Sequence, residues 1–320
     1  MRTFVGVFSS QLTEFVNFKR SMGYKYITEI QTLAEFSRFT TQFEISEPIL
    51  TKEIVNAWCA QRPFENRKSS TEHRVTMLRQ FALYLVSLGY KVCIPISSRN
   101  NHQPRYAAYV FTHEEIKNIF ESCDRVFPTR HSNMHLVMPV LIRLLYSSGL
   151  RISEAIGLQM KHVDLNNGVL EIKKSKNGKD RLVPLSNSML DICRRYYQAI
   201  HTNSNKEDYF FVNAAHEPYC RATVYWRFRE IMLTSGISHG GKGYGPRLHD
   251  LRHTFAVHTL QEVDKRNVDL YAVLPVLSAY LGHESIHATS QYLRMTAEVY
   301  PDIMDVVNRS CGYVIPEAKI

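Results

Sequence analysis

The sequence lacks any closely spaced cysteine pair: Cys59, Cys93, Cys123, Cys193, Cys220 and Cys311 are scattered over 320 residues. That scatter excludes a dense disulfide framework and a cysteine-built zinc site, and leaves reduced thiols. No apolar run approaches the length of about 18 residues that a membrane span needs. The opening stretch MRTFVGVFSSQLTEF has no unbroken apolar segment ending in a small-residue cleavage site. Neither a membrane partner nor a secretory leader is therefore expected, and the expected location is cytoplasmic. No internal repeat or low-complexity tract is present, which excludes a solenoid. Aspartate is missing from residues 1–105, where 14 Lys and Arg face 8 Glu. This stretch carries +6 of the net +9, and such an excess favours a polyanionic partner, nucleic acid before a membrane surface.

With 44% apolar residues the chain can build one large core or two ordinary ones. The first hundred residues read as helices. In SSTEHRVTMLRQFALYLVSLGY, Ser69 to Thr71 and Glu72 supply capping residues, Val75, Leu78, Ala82, Leu85 and Val86 form an apolar stripe, and Gly89 ends the helix. His73, Arg74 and Arg79 are expected off that stripe, with Arg67 and Lys68 just before the helix. They read either as a phosphate-contacting edge or as a solvated basic face. CIPISSRNNHQPRYAAY, residues 93–109, is rich in Pro, Ser and Asn and carries Arg99 and Arg105. It reads as a linker.

The remainder is mixed. Thr112 with Glu115 gives a capping-box signature, and MHLVMPVLIRLLYSSG predicts a buried helix closed by Gly149. Arg151 falls in the turn before a helix opened by Ser153 and Glu154. GVLEIKKSKNGKDRLVPLS alternates Leu170 and Ile172 with charged neighbours, turns at Asn177-Gly178 and returns through Leu182, Val183 and Leu185, a hairpin signal. Near the end, Ile286, Thr289 and Tyr292 recur at intervals of three, and His283 stands beside Gly282.

RLHDLRHTF, residues 247–255, has two readings. His249 and His253 are four apart, as in helical zinc sites. His249 and Arg252 are three apart and would share a face that suits phosphate. Zinc requires a third ligand. It also requires tolerance of Arg252 close to a dication, and in the protease pattern a glutamate where Asp250 stands. The phosphate reading meets none of these obstacles, which leaves His253 a supporting role and Asp250 that of orienting its neighbours.

Four of these segments, in this order, resemble the tyrosine recombinase family of phage integrases, chromosome-dimer-resolving recombinases and transposon recombinases. They are GLRISE, a lysine at a β-hairpin turn, HDLR, and LGHESIHATSQY. They span residues 147–294; the first hundred residues match only in kind, as a compact helical core-binding domain of the SAM-like type. The resemblance implies a mainly α protein with a small β-sheet in its catalytic domain. Residues 1–95 would bind DNA, 96–108 link, and 109–320 form the catalytic domain with a C-terminal tail. It implies site-specific cleavage and rejoining of double-stranded DNA through a 3′-phosphotyrosyl intermediate, without metal or other cofactor. Tyr292 would be the nucleophile and Arg151, Lys176, His249, Arg252 and His283 its partners. Lys173, Lys174 and Lys179 crowd the same hairpin; Lys176 is chosen by register from RLVPL and by its place before the turn.

In that scheme two guanidinium forks bind the non-bridging oxygens, the histidines donate and help take the tyrosine proton, and Lys176 protonates the departing 5′ oxygen. The implied partners are DNA, further copies of the chain in a synaptic tetramer, and accessory recombination proteins, at a nucleoid-associated location. Val299, Ile303, Val306 and Val307 in the tail are expected to pack on a neighbouring copy. The stretch from Arg252 to His283 is longer than in the simplest members and looks most like transposon-borne ones. No arm-binding domain is expected before the first. A type IB topoisomerase-like relaxing enzyme and a non-catalytic DNA-binding regulator are the alternatives.

Overall fold

The computed structural model describes residues 3–60, 62, 68–96, 108–130, 132–173, 180–201, 205–240 and 245–299, with the backbone alone for 68–70 and 294–299. The chain divides into two compact units, Met1–Arg105 and Tyr106–Ile320. Among the described residues no helix is long and apolar enough to cross a membrane.

The first unit is built from α1 (Ser9–Ser21), α2 (Ile27–Thr40), α3 (Lys52–Cys59) and α4 (Lys68–Ser87). Leu12, Phe15, Leu33, Phe36, Ile54, Trp58, Leu78, Phe81 and Leu85 fill its core. Phe36 meets Trp58 edge to face at 5.2 Å. On α4 the buried face runs through Arg74, Leu78, Phe81 and Leu85, spaced by four, three and four residues. Two expectations need correction here. Val86 lies one step round the helix from Leu85 and is 46% exposed. Arg74 lies on the buried face and not beside it: its guanidinium donates to the Trp58 and Ala60 carbonyls and stacks on the Trp58 ring. Arg74 thus closes the C-terminal end of α3 and presents no phosphate-contacting edge. Arg79 is half-buried and donates to Pro95 O at 2.8 Å, while His73 is exposed. Lys68 opens α4, and Arg67, Arg99 and Arg105 lie outside the described residues.

The second unit starts with α5 (His113–Asp124), whose Thr112 and Glu115 form the expected capping box, and α6 (Met134–Ser148). The short α7 (Ile152–Ile156) leads to a three-stranded antiparallel sheet. Its strands, in order, are β1 (Val163–Asp164), β2 (Val169–Ile172) and β3 (Arg181–Pro184). Leu170, Ile172 and Val183 point inward; Leu182 is 65% exposed because the side-chain period of two turns it outward. Strand β1 had no alternating signal of its own. Asp164 builds it into the sheet by accepting from the Asn166 and Asn167 amides in the turn to β2. The hairpin turn itself, with Lys174, Lys176 and Lys179, lies outside the described residues. Among the described residues five helices follow: α8 (Asn187–Ile200), α9 (Arg221–Thr234), α10 (Asp250–Lys265), α11 (Leu270–Leu281) and α12 (Ile286–Val299). Helix α6 is sheathed by α5, α8 and α10, which explains its nearly continuous apolar sequence.

Replacing Arg74 by alanine should lower the melting temperature of the protein, because two carbonyls lose their donor at a cost of about 1–3 kcal/mol. His73→Ala should leave melting unchanged. Unaltered melting of the Arg74 variant together with weaker DNA binding would restore Arg74 to the contacting surface.

Candidate active site

Three helix ends meet at Arg252. It sits in the first turn of α10 and is 3% exposed. Its two Nη atoms donate to Gly149 O at 2.7 Å and Leu281 O at 2.8 Å. Those carbonyls belong to the C-termini of α6 and α11, where unsatisfied acceptors and the helix dipole both favour a cation. Gly149 and Gly282 end these helices in the left-handed conformation, with φ of 59° and 68°. At Gly149 a Cβ would also come within 2.5 Å of the Phe255 ring, so a side chain is excluded twice over. Burial and the neighbouring Arg151 bring the Arg252 pKa down to about 10, which leaves it charged at neutral pH.

Arg151 follows two residues after Gly149 and caps α7. Its backbone N–H and Nη1 donate to the two oxygens of Glu154, at 2.9 and 2.8 Å, and its Nη2 reaches Gly282 O at 3.3 Å. A second arginine, Arg181 of β3, grips the same carboxylate at 3.0 and 2.8 Å. Burial alone would raise the Glu154 pKa, but hydrogen bonds from Arg181 and Arg151 hold it at about 2. Sequence reasoning used Glu154 only as a helix opener and passed over Arg181. The signal available for Arg181 was its position at the start of the returning strand.

Tyr292 lies on α12 and is 3% exposed among Val257, Leu260, Leu277 and Leu281. Thr289 is also buried, whereas Ile286, expected on the same face, is 51% exposed at the first turn. The imidazole that touches the Tyr292 hydroxyl is His253, with Nδ1 at 3.2 Å. His253, given a supporting role on the sequence, is thus placed directly against the phenol. His283 bonds through Nδ1 to Thr289 Oγ1 at 2.7 Å and lies nearly parallel to the Tyr292 ring, centroids 6.1 Å apart. His249 meets His253 edge to face at 4.8 Å. Asp250, 1% exposed, accepts from the Arg247 amide at 2.7 Å and fixes the entry into α10.

Burial, reinforced by the arginines, pushes the imidazoles down: His249 and His283 to about 4, His253 to about 3. Burial raises the Tyr292 phenol, with Arg252 and Arg151 pulling against it. At neutral pH the cluster therefore holds the guanidiniums of Arg151, Arg181 and Arg252 beside the carboxyl side chains of Glu154 and Asp250, with neutral imidazoles and a protonated phenol. That excess of fixed positive charge suits a bound anion. Among the described residues no group of three or more His, Cys, Asp and Glu side chains is placed to hold a metal ion. Arg151, His249, Arg252, His283 and Tyr292 are thus brought together, while Lys176 lies outside the described residues.

Residues 109–299 match the Phage integrase family. The chain is 29% identical over 312 residues to y4rB of Sinorhizobium fredii, a candidate integrase/recombinase, covering 95% of this chain and 98% of that protein. It is 29% identical over 230 residues to the tyrosine recombinase XerD of Chlorobaculum tepidum, covering 70% of each. Its fold is similar to that of lambda integrase, solved as a tetramer bound to a Holliday junction. The TM-score there is 0.62 at 18% identity, over 88% of this chain and 76% of that one.

Two outcomes follow from this geometry. A histidine with a depressed pKa is protonated first in the unfolded chain, so stability should fall as pH drops from 6.5 towards about 4. Glu154 extends the loss below its ordinary 4.5, towards about 2. Melting curves between pH 7 and 4 should show that slope, and His283→Gln should flatten it; a pH-independent midpoint would contradict the assignment of neutral imidazoles. His253→Asn, which keeps an acceptor near Nδ1, should retain more of the protein's activity than His253→Leu. Equal activity of the two would mean that the contact with Tyr292 does not matter.

Proposed function

The chain belongs to the Phage integrase family, and from that premise we propose the part each site residue plays. The protein is a site-specific recombinase that cleaves and rejoins DNA. The observation that carries the residue assignment is the convergence of two arginines, Arg151 and Arg252, and one imidazole, His253, around a buried phenol.

In the proposed reaction the Tyr292 oxygen attacks the scissile phosphorus. The bond to the 5′ oxygen breaks, and a 3′-phosphotyrosyl link forms. The phosphorane-like state carries added charge on its non-bridging oxygens, towards which Arg151 and Arg252 present paired donors. The phenol arrives protonated, so its proton has to leave during attack. His253 is the contacting acceptor, with His249 and His283 close by. The proton needed by the departing 5′ oxygen is assigned to Lys176 on the sequence pattern alone. A 5′-hydroxyl of another strand then attacks the phosphotyrosyl link and restores tyrosine, so bond energy is conserved and no nucleotide cofactor enters.

Double-stranded DNA is the proposed substrate, and a tetramer on two sites the proposed working assembly, supported by the similarity to lambda integrase in its tetramer. Such a substrate fits a cytoplasmic, nucleoid-associated location. The tail residues Ile303, Val306 and Val307 lie outside the described residues.

Trapping on a nicked suicide duplex tests this reading. Tyr292→Phe should keep DNA affinity and lose the covalent adduct. Arg151→Lys and Arg252→Lys should each slow cleavage by more than about tenfold, or about 1.4 kcal/mol of barrier, because an ammonium cannot reproduce the fork. Activity should survive a chelator. An adduct with the Phe variant would remove Tyr292 from the role of nucleophile, and chelator sensitivity would revive a metal role for HDLRH.

A further inference from the structure

Arg181 stands on β3, in the hairpin that suggested Lys176 but without a part of its own in that reading, yet it is tied to two parts of the site. Only 9% of its side chain is exposed. Nη1 and Nη2 donate to the Glu154 oxygens at 3.0 and 2.8 Å, and Nε donates to Tyr280 O at 2.9 Å. The guanidinium also lies against the turn that ends α11: a Cβ added to Gly282 would come within 3.0 Å of Nη1. His283 follows that turn directly. Arg181 therefore touches the partner of Arg151 on one side and the support of His283 on the other.

A carboxylate held by Arg151 alone would have a soft terminal torsion and would draw that guanidinium into a closed pair. A second fork on both oxygens fixes the carboxylate plane and shares its charge. Arg151 is then oriented by Glu154 without being neutralised by it. The backbone bond from Arg151 N to Glu154, at 2.9 Å, makes the orientation local and rigid.

The geometry points to Arg181 as a positioning residue for strand cleavage: through Glu154 and the α11 turn it sets the angle and the net charge with which Arg151 meets the scissile phosphate. This inference rests on the proposed role of Arg151 as a phosphate donor. Arg181 itself touches no reacting atom. Its effect therefore has to appear as a defect in how the charged phosphate is handled.

The test uses Arg181→Lys and Arg181→Gln in the full chain, with Arg151→Lys as comparator. Single-turnover cleavage is measured on a nicked duplex carrying the sequence that the wild-type protein protects in footprinting. One substrate has the ordinary scissile phosphodiester. The other has a methylphosphonate there, in which a methyl group replaces a charged oxygen and less is asked of the arginine donors. Both variants should bind DNA as the wild type does and cleave the diester at least about tenfold more slowly. On the methylphosphonate the deficit, relative to wild type on the same substrate, should shrink to within about threefold, and Arg151→Lys should follow the same pattern. Diester cleavage within about threefold of wild type would overturn the inference. An equal deficit on both substrates would assign Arg181 to folding alone, as would failure of both variants to fold. A wild-type protein that forms no adduct on either duplex would instead sink the functional reading beneath it.

Discussion

Arg252 bonded to Gly149 O and Leu281 O is the contact from which the rest of the site is laid out. A helix C-terminus leaves carbonyls without donors and carries partial negative charge. Here two such ends are closed by one side chain from the start of a third helix. The planar fork matters, because one ammonium would not span two carbonyls in fixed directions. Once α6, α10 and α11 are joined there, Arg151 lies two residues beyond one end and His283 two residues beyond Leu281 at the other. Tyr292 comes next, on α12, packed against the same α10 that carries Arg252. The positions are consequences of one buried cation.

The electrostatics follow from that burial. Guanidiniums remain charged when desolvated, whereas imidazoles give up their protons. The cluster accordingly separates into fixed charges, Arg151, Arg181 and Arg252, and neutral groups, His249, His253 and His283, that can accept or donate. Burial raises the phenol of Tyr292, so it stays protonated in the free protein. Donors held in place before the substrate arrives need no reorganisation at the moment of reaction, and a poorly hydrated setting strengthens each of them.

The legible parts of the site were those in which local chemistry and chain order coincide. Gly149 before Arg151, the Thr112–Glu115 box and the three-residue spacing of His249 and Arg252 are all short-range statements, and they can be read directly. The pairings of Arg181 with Glu154 and of His253 with Tyr292 were not legible because they run across 27 and 39 residues, for which the sequence offers neither spacing nor periodicity. Arg74 failed in the opposite sense. Its charge suggested the surface, but its place in the series with Leu78, Phe81 and Leu85 put it on the buried face, and the α3 carbonyls made that burial affordable. Charge type was the weaker guide there and helical spacing the stronger. On the sheet, the alternation foretold β2 and the inward Val183, whereas the two residues of β1 were too few to alternate.

Glu154 ties two of the arginines of the cluster together. Arg151 lies close enough to Arg252 to disfavour its charge, and like charges held side by side repel. One glutamate, clasped by Arg151 and Arg181 together, restrains Arg151 and still leaves the cluster cationic. In the proposed reaction the remaining repulsion is a cost carried by the free fold that a bound phosphate would remove, so binding of an anionic backbone and stabilisation of the second unit would be the same free energy seen from two sides. The glycines at 149 and 282 fix where Arg252 and Arg151 find their carbonyl acceptors, and so where the two guanidiniums are held.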